Sequence, residues 1–415
     1  MEKIKQWKNF EFKNNPFEDK NIEQIKNKLK CLDNIVKIEE IIQLKQLLSS
    51  ECLVLQMGEC AETFNFSDYK YIKNKYEFLI QCGLIIQNKI INENKVMNVI
   101  KIGRIAGQFA KPRSDEKEIV DNKEILTYKG DIINNININK RKYNPYNMIK
   151  AYNIGKKIYK YLQNIKNNIT FDNKFLQTIN KSKNNSFKKK FFQIDINKID
   201  KNKLLNFYTS KESLLLDFEE SLTRHINGLY YNVSTHLLWL GNKNCFIGSS
   251  QIEYLKNVEN PIGIKISETK KIEDIIVIIK TINPNNEKGK ILLIIRINNE
   301  NINQYLKELI LAIQKHNINV IFSVDPMHGN TEKIANIKTR KVEKIEENIL
   351  KFMEILNKYN IISKGIHLET SSSFVSECIY DGILDKKKFL QKRYITYCDP
   401  RLSPDMTIDI INKYL

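Results

Sequence analysis

ILLIIRINNENINQYLKELILAIQKHNINVIFSVDP, residues 291–326, holds two short apolar runs on either side of an amphipathic stretch. The runs ILLIIRI (291–297) and NVIFSVDP (319–326) are rich in β-branched residues and end in polar or turn residues, the pattern of strands buried on both faces of a parallel sheet. Between them, Ile302–His316 repeats apolar residues at helical spacing and predicts a crossover helix. Working outward, similar runs stand at CLVLQMG (52–58), VMNVIKIG (96–103), LYYNVSTH (229–236), PIGIKIS (261–267), GIHLET (365–370) and YITYCDP (394–400). Most alternate with stretches long enough for a helix, Thr339–Tyr359 among them. Eight runs in this rhythm predict an α/β protein built on a (β/α)8 barrel.

Two regions depart from the rhythm. Residues 1–50 are rich in Lys and Glu, with helical spacing from about Asn21 to Leu48, and predict an N-terminal helical extension ahead of a barrel domain at 51–415. The gap between the second and third runs contains NNININK (134–140) and NKSKNNSFKKKFF (180–192), with a helical pattern at Tyr146–Ile165. We expect a helical insertion there, at about 131–210.

Composition narrows the function. The 415 residues carry a formal charge of +19, but the lysines are scattered among Asn and Ile along the whole chain, which predicts a solvated surface and no nucleic-acid partner. No apolar run approaches the roughly 18 residues of a membrane span, and the N-terminus lacks the apolar core of a signal peptide. The expectation is a cytoplasmic protein with no membrane contact. Seven cysteines form no CxxC pair and read mostly as reduced thiols.

Barrel enzymes place their chemistry at the C-terminal ends of the strands. The first run ends in Gly58-Glu59-Cys60, the sixth in Asp325-Pro-Met-His328, the seventh in His367-Leu-Glu369 and the eighth in Cys398-Asp399. Because a barrel closes, these ends are neighbours, so Cys60, His328, Glu369 and Asp399 should converge. A thiolate, an imidazole and two carboxylates suit a divalent transition metal, with Mn, Fe, Co and Zn all compatible. Each residue alone has a plainer reading, as a buried apolar thiol, a turn former or a helix cap, but the four together make a ligand set.

Cations occupy the other half of the ring. Only eight of the 67 basic residues are Arg, so an Arg marks a place where a planar, bidentate fork is needed. KIGRIAGQFAKPRSD (101–115) carries Arg104, Lys111 and Arg113, while Lys265 and Arg296 lie in the fourth and fifth runs. A metal facing a cationic arc predicts an anionic, phosphorylated substrate beside a Lewis acid. His236 and Trp239 are candidates for supporting roles, and Arg224 is expected on a helix, paired with Glu220.

At this point the sequence resembles the class II (plant-type) 3-deoxy-D-arabino-heptulosonate 7-phosphate (DAHP) synthases. The matching segments include LQMGECAETF (55–64), KIGRIAGQFAKPRSD (101–115), YTSKESLLLDFEESLTR (208–224), STHLLWLG (234–241), NPIGIKI (260–266), DPMHGNT (325–331), GIHLE (365–369) and CDPRL (398–402), in order over nearly the whole chain. The resemblance implies a metal-dependent transferase that condenses phosphoenolpyruvate with erythrose 4-phosphate, the first step of the shikimate pathway to chorismate and the aromatic amino acids. It implies Cys60, His328, Glu369 and Asp399 as ligands of a divalent metal, Mn2+ foremost, with Co2+, Fe2+ or Zn2+ as alternatives. Arg104, Lys265 and Arg296 would hold phosphoenolpyruvate; Lys111, Arg113 and Ser114 would hold the sugar phosphate. Lys111 would also act at the aldehyde, so that Lys111, Cys60 and His328 form the catalytic set, within a homo-oligomer, dimer or tetramer.

Three departures accompany the likeness. Asn242-Lys243 stands where the family has Glu-Arg, leaving Lys243 as a substrate cation without its carboxylate. Lys211 replaces a His, and SSSFVSEC (371–378) loses a Gly and an Asn. These changes favour slower turnover and leave, as the alternative, a catalytically impaired metal-binding barrel acting as a partner protein. Cys398, next to Asp399, is expected near Cys60 as a redox-sensitive pair.

Overall fold

The computed structural model describes residues 2–10, 21–111, 113, 115–120, 123–169 and 204–415. Eight parallel strands close a barrel: β1 (Cys52–Gly58), β2 (Asn98–Arg104), β3 (Tyr208–Glu212), β4 (Leu237–Leu240), β5 (Ile262–Ile266), β6 (Ile291–Ile295), β7 (Ile321–Val324) and β8 (Lys364–Glu369). Each pairs with its neighbours in sequence, and β8 closes on β1 with Gly58 opposite Glu369. Helices cover the outside, including Ile302–Lys315 between β6 and β7 and Val342–Lys358 between β7 and β8. The (β/α)8 class is as expected.

Six of the eight runs are barrel strands, and two are not. Leu229–Asn232 pairs antiparallel with Thr223–Ile226 in a hairpin outside the barrel. Residues 394–400 form no strand; they belong to a loop that returns to the barrel through a bridge between Thr370 and Leu402. The reason is closure: β8 already pairs with β1, so no edge remains for another strand. The strands that take the two vacated places were hidden by chemistry and length. β3, YTSKE, turns the polar Ser210 and Glu212 inward, and β4, LLWL, is only four residues long. Because β3 begins at Tyr208, the expected 131–210 insertion overlaps its first residues. Helix Asn147–Asn168 occupies the part between β2 and β3 where a helical pattern was read, whereas residues 180–192 lie outside the described part. Arg224 lies in the hairpin and donates to the carbonyls of Ser221 and Leu32; Glu220 pairs instead with Lys26.

Inside the barrel, side chains change character along the axis. At the N-terminal end, Cys52, Val54, Ile100, Ile102, Tyr208, Leu237, Trp239, Leu292, Ile294 and Ile321 form an apolar cluster. Helix Ile38–Leu48 closes that end by inserting Leu44 and Leu48 into it. The helix end meets the turn before β6 so closely that Gly289, at φ +76°, has no room for a Cβ against the Lys45 carbonyl. Further along, the inward positions become polar on most strands, as at Gln56, Arg104, Ser210, Lys265 and His367.

Candidate active site

Four ligand-bearing groups meet at the C-terminal rim. The Cys60 thiol, the His328 imidazole and the carboxylates of Glu369 and Asp399 each offer one donor atom, all within 4.8 Å of one another. Donors about 2.0–2.3 Å from a common cation would lie at most about 4.6 Å apart, so the spacing fits one ion with little adjustment. Cys60 follows β1, Glu369 ends β8 and His328 follows β7. Asp399 arrives on the return loop rather than from a strand end, held where Leu402 donates to the Glu369 carbonyl at 2.9 Å.

The surroundings are organised as metal sites usually are. Asp325 Oδ1 accepts the backbone N–H groups of Met327 (3.1 Å) and His328 (3.2 Å), folding DPMH into a turn that swings the imidazole back over its own strand. Asp325 Oδ2 then takes His328 Nδ1 at 2.7 Å, leaving Nε2 toward Glu369 at 3.1 Å. A carboxylate behind a ligating histidine fixes its tautomer and orientation. Burial pulls the His328 pKa down, but Asp325 and Glu369 outweigh it and hold the ring at about 10, so a cation would displace a proton there. The Cys60 thiol is pushed up by its hydrogen bond with Cys398, by burial and by Glu369, and it donates to Asp399 Oδ2 at 3.2 Å. Burial acts to raise the Glu369 carboxyl, yet His328 and Arg340 keep it well below the usual range. Arg340, fully buried, reaches Glu369 Oε2 at 2.7 Å.

The cations stand opposite. Arg104 Nη1 lies 3.2 Å from Glu369 Oε1, its guanidinium sits over the Trp239 ring at 5.3 Å, and its Nε has no hydrogen-bond partner among the described residues. Lys265 Nζ is 2.8 Å from Asp325 Oδ2, and Lys111 Nζ is 3.2 Å from Asp399 Oδ2. Arg113 Nε donates to the Tyr128 carbonyl at 3.1 Å. Lys243 is exposed; its pKa is lowered by partial burial, with Glu212 opposing and the nearby charges of Arg113 and Arg296 adding to the fall. Lys243, Arg113 and Arg296 thus lie close enough to feel one another's charge. Ser114 lies outside the described residues.

The loop carrying Lys111 is rigidly held. Glu62 accepts the backbone N–H groups of Ala106 (3.1 Å), Gly107 (2.9 Å) and Gln108 (2.9 Å), with Ala106 at φ +71°. Lys75 links Glu62 to Glu59, and Glu59 in turn meets Arg401, which also pairs with Glu377. The residues beside Cys60 and Asp399 are thereby tied together.

Several contributors escaped sequence reading. Arg340 had no assigned role, and Asp325, His367, Gln56 and Glu212 were passed over. For Gln56, Glu212, Asp325 and His367 the available signal was parity, each lying on the inward register of a barrel strand or just past its end; Arg340 ends a hairpin strand outside the barrel, Ile337–Arg340, where no such signal exists. Glu212 is the most unusual, since its Oε1 has no partner and burial raises its carboxyl despite Lys265 and Arg104. Of the departures, Lys211 points away from the site into a 2.8 Å pair with Glu219, and Asn242 accepts from Ser267 at 3.2 Å.

A profile of the Class-II DAHP synthetase family matches residues 2–413. The chain belongs to the class-II DAHP synthetase family. Curated relatives agree with the assignment. A phospho-2-dehydro-3-deoxyheptonate aldolase of Neurospora crassa is 29% identical over 430 residues, covering 94% of this chain and 88% of its own. A protein of the same name from Streptomyces coelicolor is also 29% identical, over 383 residues, covering 87% of this chain and 83% of its own. Family and relatives make this DAHP synthetase-family chain an enzyme with 3-deoxy-7-phosphoheptulonate synthase activity. No helix among its described residues is long and apolar enough to cross a membrane.

Proposed function

We propose that the chain condenses phosphoenolpyruvate with erythrose 4-phosphate to give DAHP and inorganic phosphate, as the cytoplasmic entry step of the shikimate pathway. The observation that carries this reading is the meeting of four metal-donor groups with an arc of buried cations at one barrel rim. Cys60, His328, Glu369 and Asp399 would hold a divalent cation, Mn2+ foremost, whose positive charge would polarise the aldehyde. Arg104, Lys265 and Arg296 bind the carboxylate and phosphate of phosphoenolpyruvate. Lys111, Arg113 and Ser114 bind the sugar phosphate, and Lys243 adds its charge on the phosphoenolpyruvate side.

Both substrates are anions, so the arc first offsets their mutual repulsion and holds C3 of phosphoenolpyruvate against the aldehyde carbon. As that bond forms, negative charge grows on the aldehyde oxygen. Burial acts to lower the Lys111 pKa, but Cys60, Cys398 and Asp399 keep it an ammonium, able to donate to that oxygen. Bond formation at C3 leaves C2 electron-poor; water adds there, losing a proton, and the phosphorylated hemiketal collapses to the ketone of DAHP as its C2–O bond to phosphate breaks. Glu212, with its unpartnered oxygen at the barrel mouth, is the nearby group able to exchange that proton. The first fifty residues act as a helical extension of a 51–415 barrel domain, and the assembly is a homo-oligomer.

The test is phosphate release from the two substrates with added divalent metal. Release that depends on both substrates and stops with chelator is expected. No release with Mn2+, Co2+, Fe2+ or Zn2+ would overturn the proposal.

A further inference from the structure

Beneath the cationic arc runs a buried column of polar side chains that the reaction scheme leaves unused. His367 is fully buried on the inward face of β8, and its Nε2 lies 3.2 Å from Arg104 Nη1 and 3.2 Å from Lys265 Nζ. Its Nδ1 lies 2.7 Å from Gln56 Oε1. Gln56 Nε2 donates to Ser210 Oγ at 3.0 Å, and Ser210 Oγ donates to the Gly103 carbonyl at 3.2 Å. Gln56 and Ser210 are also fully buried.

The column has only one consistent polarity. At its lower end a backbone carbonyl can only accept, so Ser210 must donate to it and receive the hydrogen of Gln56 Nε2. The amide oxygen of Gln56 therefore faces His367, which must carry its hydrogen on Nδ1. At the upper end guanidinium and ammonium can only donate, so Nε2 must offer a lone pair. Reading from either end gives the same tautomer.

We propose that His367 is a positioning residue for phosphoenolpyruvate: a neutral imidazole whose single lone pair accepts one hydrogen bond each from Arg104 and Lys265. It thereby sets the spacing of these two cations and aims their remaining N–H groups at one small anion. The inference rests on the reaction proposed above and names the groups that prepare its anion subsite. Trp239 completes the mount, with its ring under Arg104 and perpendicular to the imidazole. Asp325 steadies Lys265 from the other side. Removing the acceptor would leave Arg104 to Glu369 and Lys265 to Asp325, each drawn toward its carboxylate and away from substrate.

The experiment pairs kinetics with side-chain NMR. In His367→Leu the KM for phosphoenolpyruvate should rise about tenfold or more, the usual consequence of losing a charged hydrogen bond. The KM for erythrose 4-phosphate and the metal affinity by calorimetry should stay within about twofold. His367→Gln, which keeps an acceptor, should recover most of the loss. Independently of any variant, long-range 1H–15N spectra of the zinc-loaded wild type should show His367 as the neutral Nδ1–H tautomer. An equal rise in both KM values, an unchanged KM for phosphoenolpyruvate, or an Nε2–H or doubly protonated ring would overturn the inference. A wild type that releases no phosphate from the two substrates overturns the reaction instead, and the tautomer then still decides the polarity of the column.

Discussion

The two ends of one barrel differ as much as two proteins. At the N-terminal end the inward positions are Val54, Ile102, Leu237, Leu292 and Ile321, sealed by Leu44 and Leu48. At the C-terminal end the same registers carry Arg104, Glu212, Lys265, Asp325 and Glu369. The lower end gains stability by removing apolar surface from water. The upper end concentrates buried charge, which costs desolvation free energy and is tolerable only because each group has an opposite neighbour. Stability and chemistry are therefore separable along the axis, and that separation can be tested.

The largest effect is expected at the upper rim. Cys60→Ser and His328→Ala should each lower kcat at least about 10²-fold, the scale for losing one electrostatic stabiliser, with little change in the urea midpoint of the metal-free protein. A comparable loss of stability would break the contrast. Below, Leu44→Ala should destabilise by about 2–5 kcal/mol in urea unfolding while the folded fraction keeps its kcat. A changed kcat would mean that the plug communicates with the rim.

Arg340→Met sharpens the picture within the upper end. Freeing Glu369 Oε2 from its buried partner should weaken metal binding about 10–100-fold by calorimetry. Undiminished affinity would remove Arg340 from the site.

The smallest effect concerns Lys290, buried at the lower end. Burial lowers its pKa to about 7 even though Glu259 opposes the shift. Between about pH 7 and its ordinary value of 10.5, the unfolded chain binds the proton that the folded chain has lost, so stability rises with pH across that window. The gain should reach about 1 kcal/mol between pH 7 and 8 and vanish in Lys290→Met. Thermal melts at both pH values measure it.

How much was legible follows the same division. The lower barrel shows itself through β-branched runs, because burial on both faces leaves an apolar signature, and β1, β2 and β5–β8 were all readable. β3 was not, because Ser210 and Glu212 break the apolar pattern in order to serve the upper end. Residues 394–400 imitate a strand, since Tyr394 and Ile395 fit the composition, but they lack an edge to pair with. The convergence of the donor groups was legible because Cys60, His328 and Glu369 each follow or end a readable strand. Asp399 was included on a strand that does not exist, and it reaches the site through a loop.

By itself, the sequence determined the barrel class and the family and named the donors and cations that gather at one rim, because these depend on residue type, order and motif. Only the tertiary structure decided who faces whom: that Arg340 holds Glu369, that Lys211 leaves the site, and that His367 stands between Arg104 and Lys265. The physical reason is that hydrogen-bond direction and charge pairing are set by distances of about 3 Å between residues tens to hundreds of positions apart. Barrel closure fixes those distances, and no local pattern in the chain records them.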